Sequence, residues 1–98
     1  MKYYWLIKTI DDEYRSSDKY ITDTLEDAEA HRMEYCGWYC QPGDVTIRKV
    51  DQNFREIERI DYFHGKILEH RFNIFDEEDN FVETIYSVKN GRKVRKKI

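Results

Sequence analysis

The chain has one proline, four glycines and two cysteines in 98 residues. So little proline and glycine excludes a linker or low-complexity composition, which lacks the aromatic and branched side chains that bury area. Two cysteines exclude a disulfide scaffold. Long apolar runs are missing as well. The longest near the start, YYWLI, stops at Lys8. That is too short for a signal core or a membrane span. A cytoplasmic protein with reduced thiols and no membrane partner is expected.

Catalytic signatures are also absent. There is no Gly-x-Ser-x-Gly elbow, no phosphate loop and no dinucleotide fingerprint. The acidic run DEEDN (76–80) lacks the central glycine of a calcium loop, and the twelfth position from Asp76 is Ser87 rather than a bidentate Glu. The expectation is a non-enzymatic chain with no cofactor and no catalytic residue.

Charge and aromatic content are plentiful. Charged residues make up 38% and aromatics 15%. The net charge of −3 is unevenly spread. Residues 89–98 (KNGRKVRKKI) hold six basic side chains and no acid, which leaves residues 1–88 at −9. An acidic body with a basic end points to charged partners.

Ninety-eight residues predict a single domain over 1–98, with a basic strand or tail at 89–98. YYWLIKTI (3–10) reads as a strand that is apolar on both faces at its start, as an interior strand is. DDEYRSSDKY (11–20) reads as a loop. Thr24 opens a helix over about 24–36, its hydroxyl placed to cap the third residue, Asp27, with Glu26 and Asp27 near the positive end of the helix dipole. Leu25, Ala28, Met33, Tyr35 and Cys36 share an arc of that helix, and Gly37 fits the left-handed stop.

Strands follow at VTIRKV (45–50), FREIERIDYF (54–63), KILEHRFNIF (66–75) and FVETIYSVK (81–89). The turns between them are DQN, His64-Gly65 and DEEDN, with Asn90-Gly91 leading to a basic last strand. The predicted fold class is α+β: one helix packed on an antiparallel meander of five to six strands, in the order β-α-β-β-β-β(-β). An uninterrupted hairpin at His64-Gly65 puts Glu58 opposite Arg71 and Ile57 opposite Phe72.

Cys36 and Cys40 have the loose spacing of a zinc pair. The other two ligands must come from His31, His64 and His70. None of these is suitably spaced: His31 lies about 140° around the helix from Cys36. No metal is expected, and Cys36 reads as a small core side chain. A zinc-stabilised module remains the third reading.

The acidic clusters at 11–13, 23–29 and 76–79 are able to imitate phosphate, because carboxylates satisfy the same arginine forks. Tyr14 and Trp38 lie in loops beside them. The expected partner-binding positions are Asp11, Asp12, Glu13, Tyr14, Trp38, Asp76, Glu77, Glu78 and Asp79. The expected partner is a basic nucleic-acid-binding protein or complex. As the alternative, Arg92, Lys93, Arg95, Lys96 and Lys97 neutralise nucleic-acid phosphates directly. Open strand edges leave room for a homodimer.

The aromatic first strand YYWLIKTI, the Thr-capped acidic helix TLEDAEAHRMEYCG and the Lys- and Glu-rich strands together resemble the small proteins of phages and mobile elements. Anti-CRISPR and anti-restriction proteins are among these. The resemblance implies an inhibitor that binds host or defence machinery and occludes it.

Overall fold

The computed structural model describes residues 2–10, 16–36 and 41–94. Its elements are β1 (Tyr4–Ile10), β2 (Ser16–Thr22), α1 (Leu25–His31) with a 3-10 turn (Arg32–Glu34), β3 (Thr46–Val50), β4 (Glu56–Phe63), β5 (Lys66–Phe75), β6 (Phe81–Lys89) and β7 (Arg92–Lys93). All seven strands form one antiparallel sheet in the order β2-β1-β3-β4-β5-β6-β7. The fold is α+β and sheet-dominated, with seven strands rather than the expected five or six.

The additional strand is β2. The segment expected to be a loop returns along β1 from Ser16, and Trp5, Leu6 and Ile7 face Thr22, Ile21 and Tyr20. β1 therefore lies between β2 and β3, and Trp5, Leu6 and Ile7 are all buried. Alternation sends Trp5 and Ile7 to one face and Leu6 to the other.

The helix is shorter than expected. Thr24 caps it as read, its hydroxyl accepting the Asp27 N–H at 3.2 Å. The α-helix stops at His31, and Tyr35 is extended. Tertiary pairing overrides local propensity here: the Gly43 N–H donates to the Tyr35 carbonyl at 2.9 Å, and Cys36 bridges Pro42. Arg32 fastens the same corner, donating to the Gly43 carbonyl at 3.0 Å with its guanidinium 4.2 Å from the Tyr62 ring centre. Met33, expected on the apolar arc, is 58% exposed. Gly37 lies outside the described residues.

The core fills the helix side. Trp5, Ile7, Ala28, Val45, Ile47 and Ile60 are buried together, with Tyr20, Leu25, Tyr35, Tyr62 and Ile67 packed around them. Asp27 turns its carboxylate to β2 and accepts the Tyr20 hydroxyl at 2.9 Å and the Thr22 hydroxyl at 2.5 Å. This joins the start of the helix to the outermost strand.

The hairpins fall where the sequence places them. His64-Gly65 and Asn90-Gly91 both take two successive positive φ values, the geometry of the tightest hairpin turn. The register does not follow the simple count. A bulge at Leu68 puts Glu58 opposite Phe72 and Arg59 opposite Arg71. One extra residue on β5 moves every later side chain to the other partner and face.

Candidate interaction surface

The face of the sheet away from the helix carries an ordered row. Successive cross-strand partners run Ile21, Leu6, Arg48, Arg59, Arg71 and Tyr86. Three guanidiniums are thus brought onto neighbouring strands, about 4.8 Å apart in the sheet direction. None of the three arginines was singled out from the sequence. Each strand contributes one, and only the bulged register aligns them.

Acids balance the row from within the sheet. Arg48 binds Asp18 through Nε at 3.3 Å and Nη2 at 3.2 Å, and its Nη1 is 3.8 Å from Glu56. Arg59 Nε is 3.4 Å from the same Glu56 carboxylate but makes no hydrogen bond, and this atom is buried. Arg71 lies 3.9 Å from Glu69. The row is therefore charge-balanced rather than a net positive field, with the Arg48 fork already filled by Asp18, and it is a poor general trap for nucleic acid.

At the β2 end the row meets an apolar groove of about 460 Å³, lined by Leu6, Asp18, Lys19, Tyr20, Ile21 and Phe54. Phe54 is 60% exposed and has φ +60°. A non-glycine residue in the left-handed region costs about 1–2 kcal/mol. The turn around it imposes this conformation. Asp51 is buried; its carboxylate accepts the N–H groups of Asn53 at 2.8 Å and Arg55 at 3.0 Å, and its carbonyl accepts the Phe54 N–H at 3.0 Å. Burial pushes the Asp51 carboxyl up, but the Arg55 and Asn53 N–H groups and the Arg55 guanidinium outweigh it, so its pKa lies below the usual range.

The acidic run at 76–80 repeats this turn. Asp76 Oδ1 accepts the N–H groups of Glu78 and Asn80, both at 2.9 Å, its carbonyl accepts the Asp79 N–H at 3.0 Å, and Asp79 has φ +64°. Two of this turn's four acids, all expected to bind a partner, are thus engaged internally: Asp76 caps the turn, and Asp79 pairs with Arg55 at 3.3 Å. Glu77 and Glu78 remain exposed on the turn. Asp11, Asp12, Glu13, Tyr14 and Trp38 lie outside the described residues, as do Arg95, Lys96 and Lys97. Arg92 and Lys93 are exposed on β7.

Cys36 is exposed rather than buried in the core, and Cys40 lies outside the described residues. Among the described residues no group of three or more His, Cys, Asp or Glu is placed to hold a metal. His70 instead pairs with Glu58 at 2.6 Å on the helix-side face. No described helix is long and apolar enough to cross a membrane.

No family model and no solved structure matches the chain. Over 81 residues it is 31% identical to a protein named dihydroorotase from Picosynechococcus sp. (strain ATCC 27264 / PCC 7002 / PR-6), an alignment that covers 66% of this chain. The chain spans 23% of that protein's length.

Proposed function

We propose that this chain is a non-catalytic protein-binding module that recognises its partner through the open sheet face, with Phe54 as the apolar anchor. The observation that carries this reading is Phe54 itself. A large aromatic side chain is held mostly in solvent, in a backbone conformation that favours glycine or asparagine, at the rim of an apolar groove. The groove opens at Leu6 and Ile21 onto the cross-strand row that carries three arginines. Aromatics and arginine are the side chains that dominate interface energies.

The partner class in this proposal is a nucleic-acid-handling complex of host defence, occluded by the bound module. Of the acids expected to bind a partner, the described ones left open to it are Glu77 and Glu78. The activity named for the cyanobacterial protein belongs to a chain of which the aligned part is 23%, and it forms no part of the proposal.

The test is affinity capture from a lysate of the source organism, comparing the wild type with Phe54→Gly and with Glu77→Lys/Glu78→Lys. Loss of the same captured protein in Phe54→Gly supports the open face. Retention in Phe54→Gly with loss in the charge reversal returns the contact to the acidic turn and overturns this reading.

A further inference from the structure

The arginine row is balanced as a whole but not residue by residue. Arg48 stands directly opposite Arg59, and Arg59 directly opposite Arg71. Like charges in that relation destabilise a sheet. Arg48 is compensated, because Asp18 fills its fork. Arg59 and Arg71 donate no hydrogen bond to any described residue. Arg59 Nε is buried, 3.4 Å from Glu56, and unbonded. Arg71 Nη1 is 3.9 Å from Glu69, beyond hydrogen-bond reach. Both side chains still meet solvent, at 21% and 25% exposed. Water can serve the exposed donors. A bound carboxylate serves them and also offsets the like charge.

We infer that Arg59 and Arg71 together hold a carboxylate side chain of the partner, carried on an extended segment whose apolar residue fills the Phe54 groove. The inference rests on the reading of Phe54 as the anchor and adds the polar half of the contact. Spacing supports it. Leu6 lines the groove and is two strands from Arg59 along the row, about 9.6 Å at about 4.8 Å per strand. An extended chain advances about 3.3 Å per residue. An acid three residues from the apolar side chain therefore reaches the pair.

The neighbouring acids select the class of anion. Glu56 serves both Arg48 and Arg59, and Glu69 lies beside Arg71. Asp61 stands across the strands from Glu69 and accepts the Thr46 hydroxyl. A phosphate group brings up to two negative charges into this setting, and a carboxylate brings one. The planar carboxylate also matches the guanidinium fork. The same acids disfavour a nucleic-acid backbone at this place.

The probes are two capped peptides, acetyl-Leu-Gly-Gly-Glu-amide and its Gln counterpart, with inorganic phosphate as a third. Nitrogen–proton NMR of the purified full chain, including the arginine Nε–H signals, reads both affinity and place. The Glu peptide should bind about tenfold more tightly than the Gln peptide and shift the Arg59 and Arg71 signals. Arg59→Gln and Arg71→Gln should each reduce it to the affinity of the Gln peptide. Arg71→Lys should restore only part of the difference, because an ammonium group is not a fork. Circular dichroism checks that the variants are folded. Equal binding of the two peptides overturns the inference, as does a preference for Glu that survives both glutamine variants. No binding of either peptide up to about 10 mM overturns it as well. Phosphate bound more tightly than the Glu peptide overturns the class of anion. Phe54→Gly keeps the two readings apart. Equal binding of both peptides that Phe54→Gly abolishes leaves the anchor standing and the inference fallen. A preference for Glu that Phe54→Gly leaves at full affinity supports the arginine pair and overturns the anchor.

Discussion

Arg55 reaches out of the β3–β4 turn and sets its guanidinium 3.3 Å from the carboxylate of Asp79 in the β5–β6 turn. The same side chain binds Asp51 at 3.0 Å and lies 4.2 Å over the Phe75 ring. Two turns with matching hydrogen bonds are thereby tied together at one end of the sheet. The tie joins the two turns, while the hydrogen bonds of buried Asp51 hold Phe54 in its left-handed conformation.

Asp51 is the member of this group whose loss costs most. Asp51→Asn keeps the shape and the Oδ1 acceptor but removes the charge facing Arg55, and turns an amide donor toward the Arg55 Nε–H that Oδ2 accepts. Its melting temperature at pH 7 should fall by about 10 °C. The folded carboxyl titrates below its unfolded value, so its contribution is present above pH ~4 and lost as pH falls through the folded pKa. The gap between wild type and variant should close in acid. A gap that stays constant down to about pH 2 counts against the charge and leaves only shape.

Asp79 is different because its carboxylate is 75% exposed. Asp79→Gly removes an exposed ion pair worth about 0–1 kcal/mol and relieves a left-handed backbone costing a similar amount. Urea unfolding should show a change within about 0.5 kcal/mol. A loss above about 2 kcal/mol would mean that the Arg55 tie, rather than Asp51, sets the turn.

Phe54 should separate stability from binding. Phe54→Gly removes strain of about 1–2 kcal/mol. It also gives up the roughly 80 Å² that a 60%-exposed phenylalanine keeps from water, about 2 kcal/mol. The two nearly cancel, so stability should change by less than about 1 kcal/mol while partner capture is lost. A large destabilisation would identify Phe54 as a core plug.

Gly43 stands where the helix corner meets the sheet, at φ +88°. A Cβ there falls 2.7 Å from both Arg32 Nη1 and Met33 Sδ. Both are ends of flexible side chains and can move, but the arginine then loses its bond to the Gly43 carbonyl. Gly43→Ala should cost about 1–3 kcal/mol in urea unfolding. Pairing it with Arg32→Ala should cost less than the two separate losses combined.

Much of this scaffold is legible in the residues. YYWLI says interior strand, and His64-Gly65 and Asn90-Gly91 say hairpin, because only particular backbones suit those side chains. The turn at 76–80 shows the limit of reading charge alone: four acids look like a surface until two are found closing hydrogen bonds. Strand β2 hides because SSDKYIT is an outermost strand, with Ser17, Asp18, Lys19 and Ile21 exposed, and shows no clean alternation. The arginine row hides for another reason. Register is a long-range property, and the bulge at Leu68 changes the partner of Arg71 from Glu58 to Arg59.

His31 gives the fold a dependence on pH near neutrality. Its ring is stacked 4.5 Å from Tyr20, with Nδ1 2.9 Å from the Asp27 carbonyl and 3.1 Å from its carboxylate, and Nε2 3.7 Å from Glu34. The bond to the Asp27 carbonyl raises its pKa most; burial opposes this, and the charges of Asp27 and Glu34 add to the rise. Asp27 is held below the usual carboxylate range, first by the Thr22 hydroxyl and then by that of Tyr20, so it stays ionised beside the imidazolium. A raised folded pKa means that the stabilisation is fully present below the unfolded value near ~6.5 and is lost as pH climbs through the folded one. Urea midpoints of the wild type should therefore decline from pH 6 to pH 9 more than those of His31→Gln, with the two closest at pH 9. Curves that run parallel over that range would show that His31 contributes only its stacking on Tyr20.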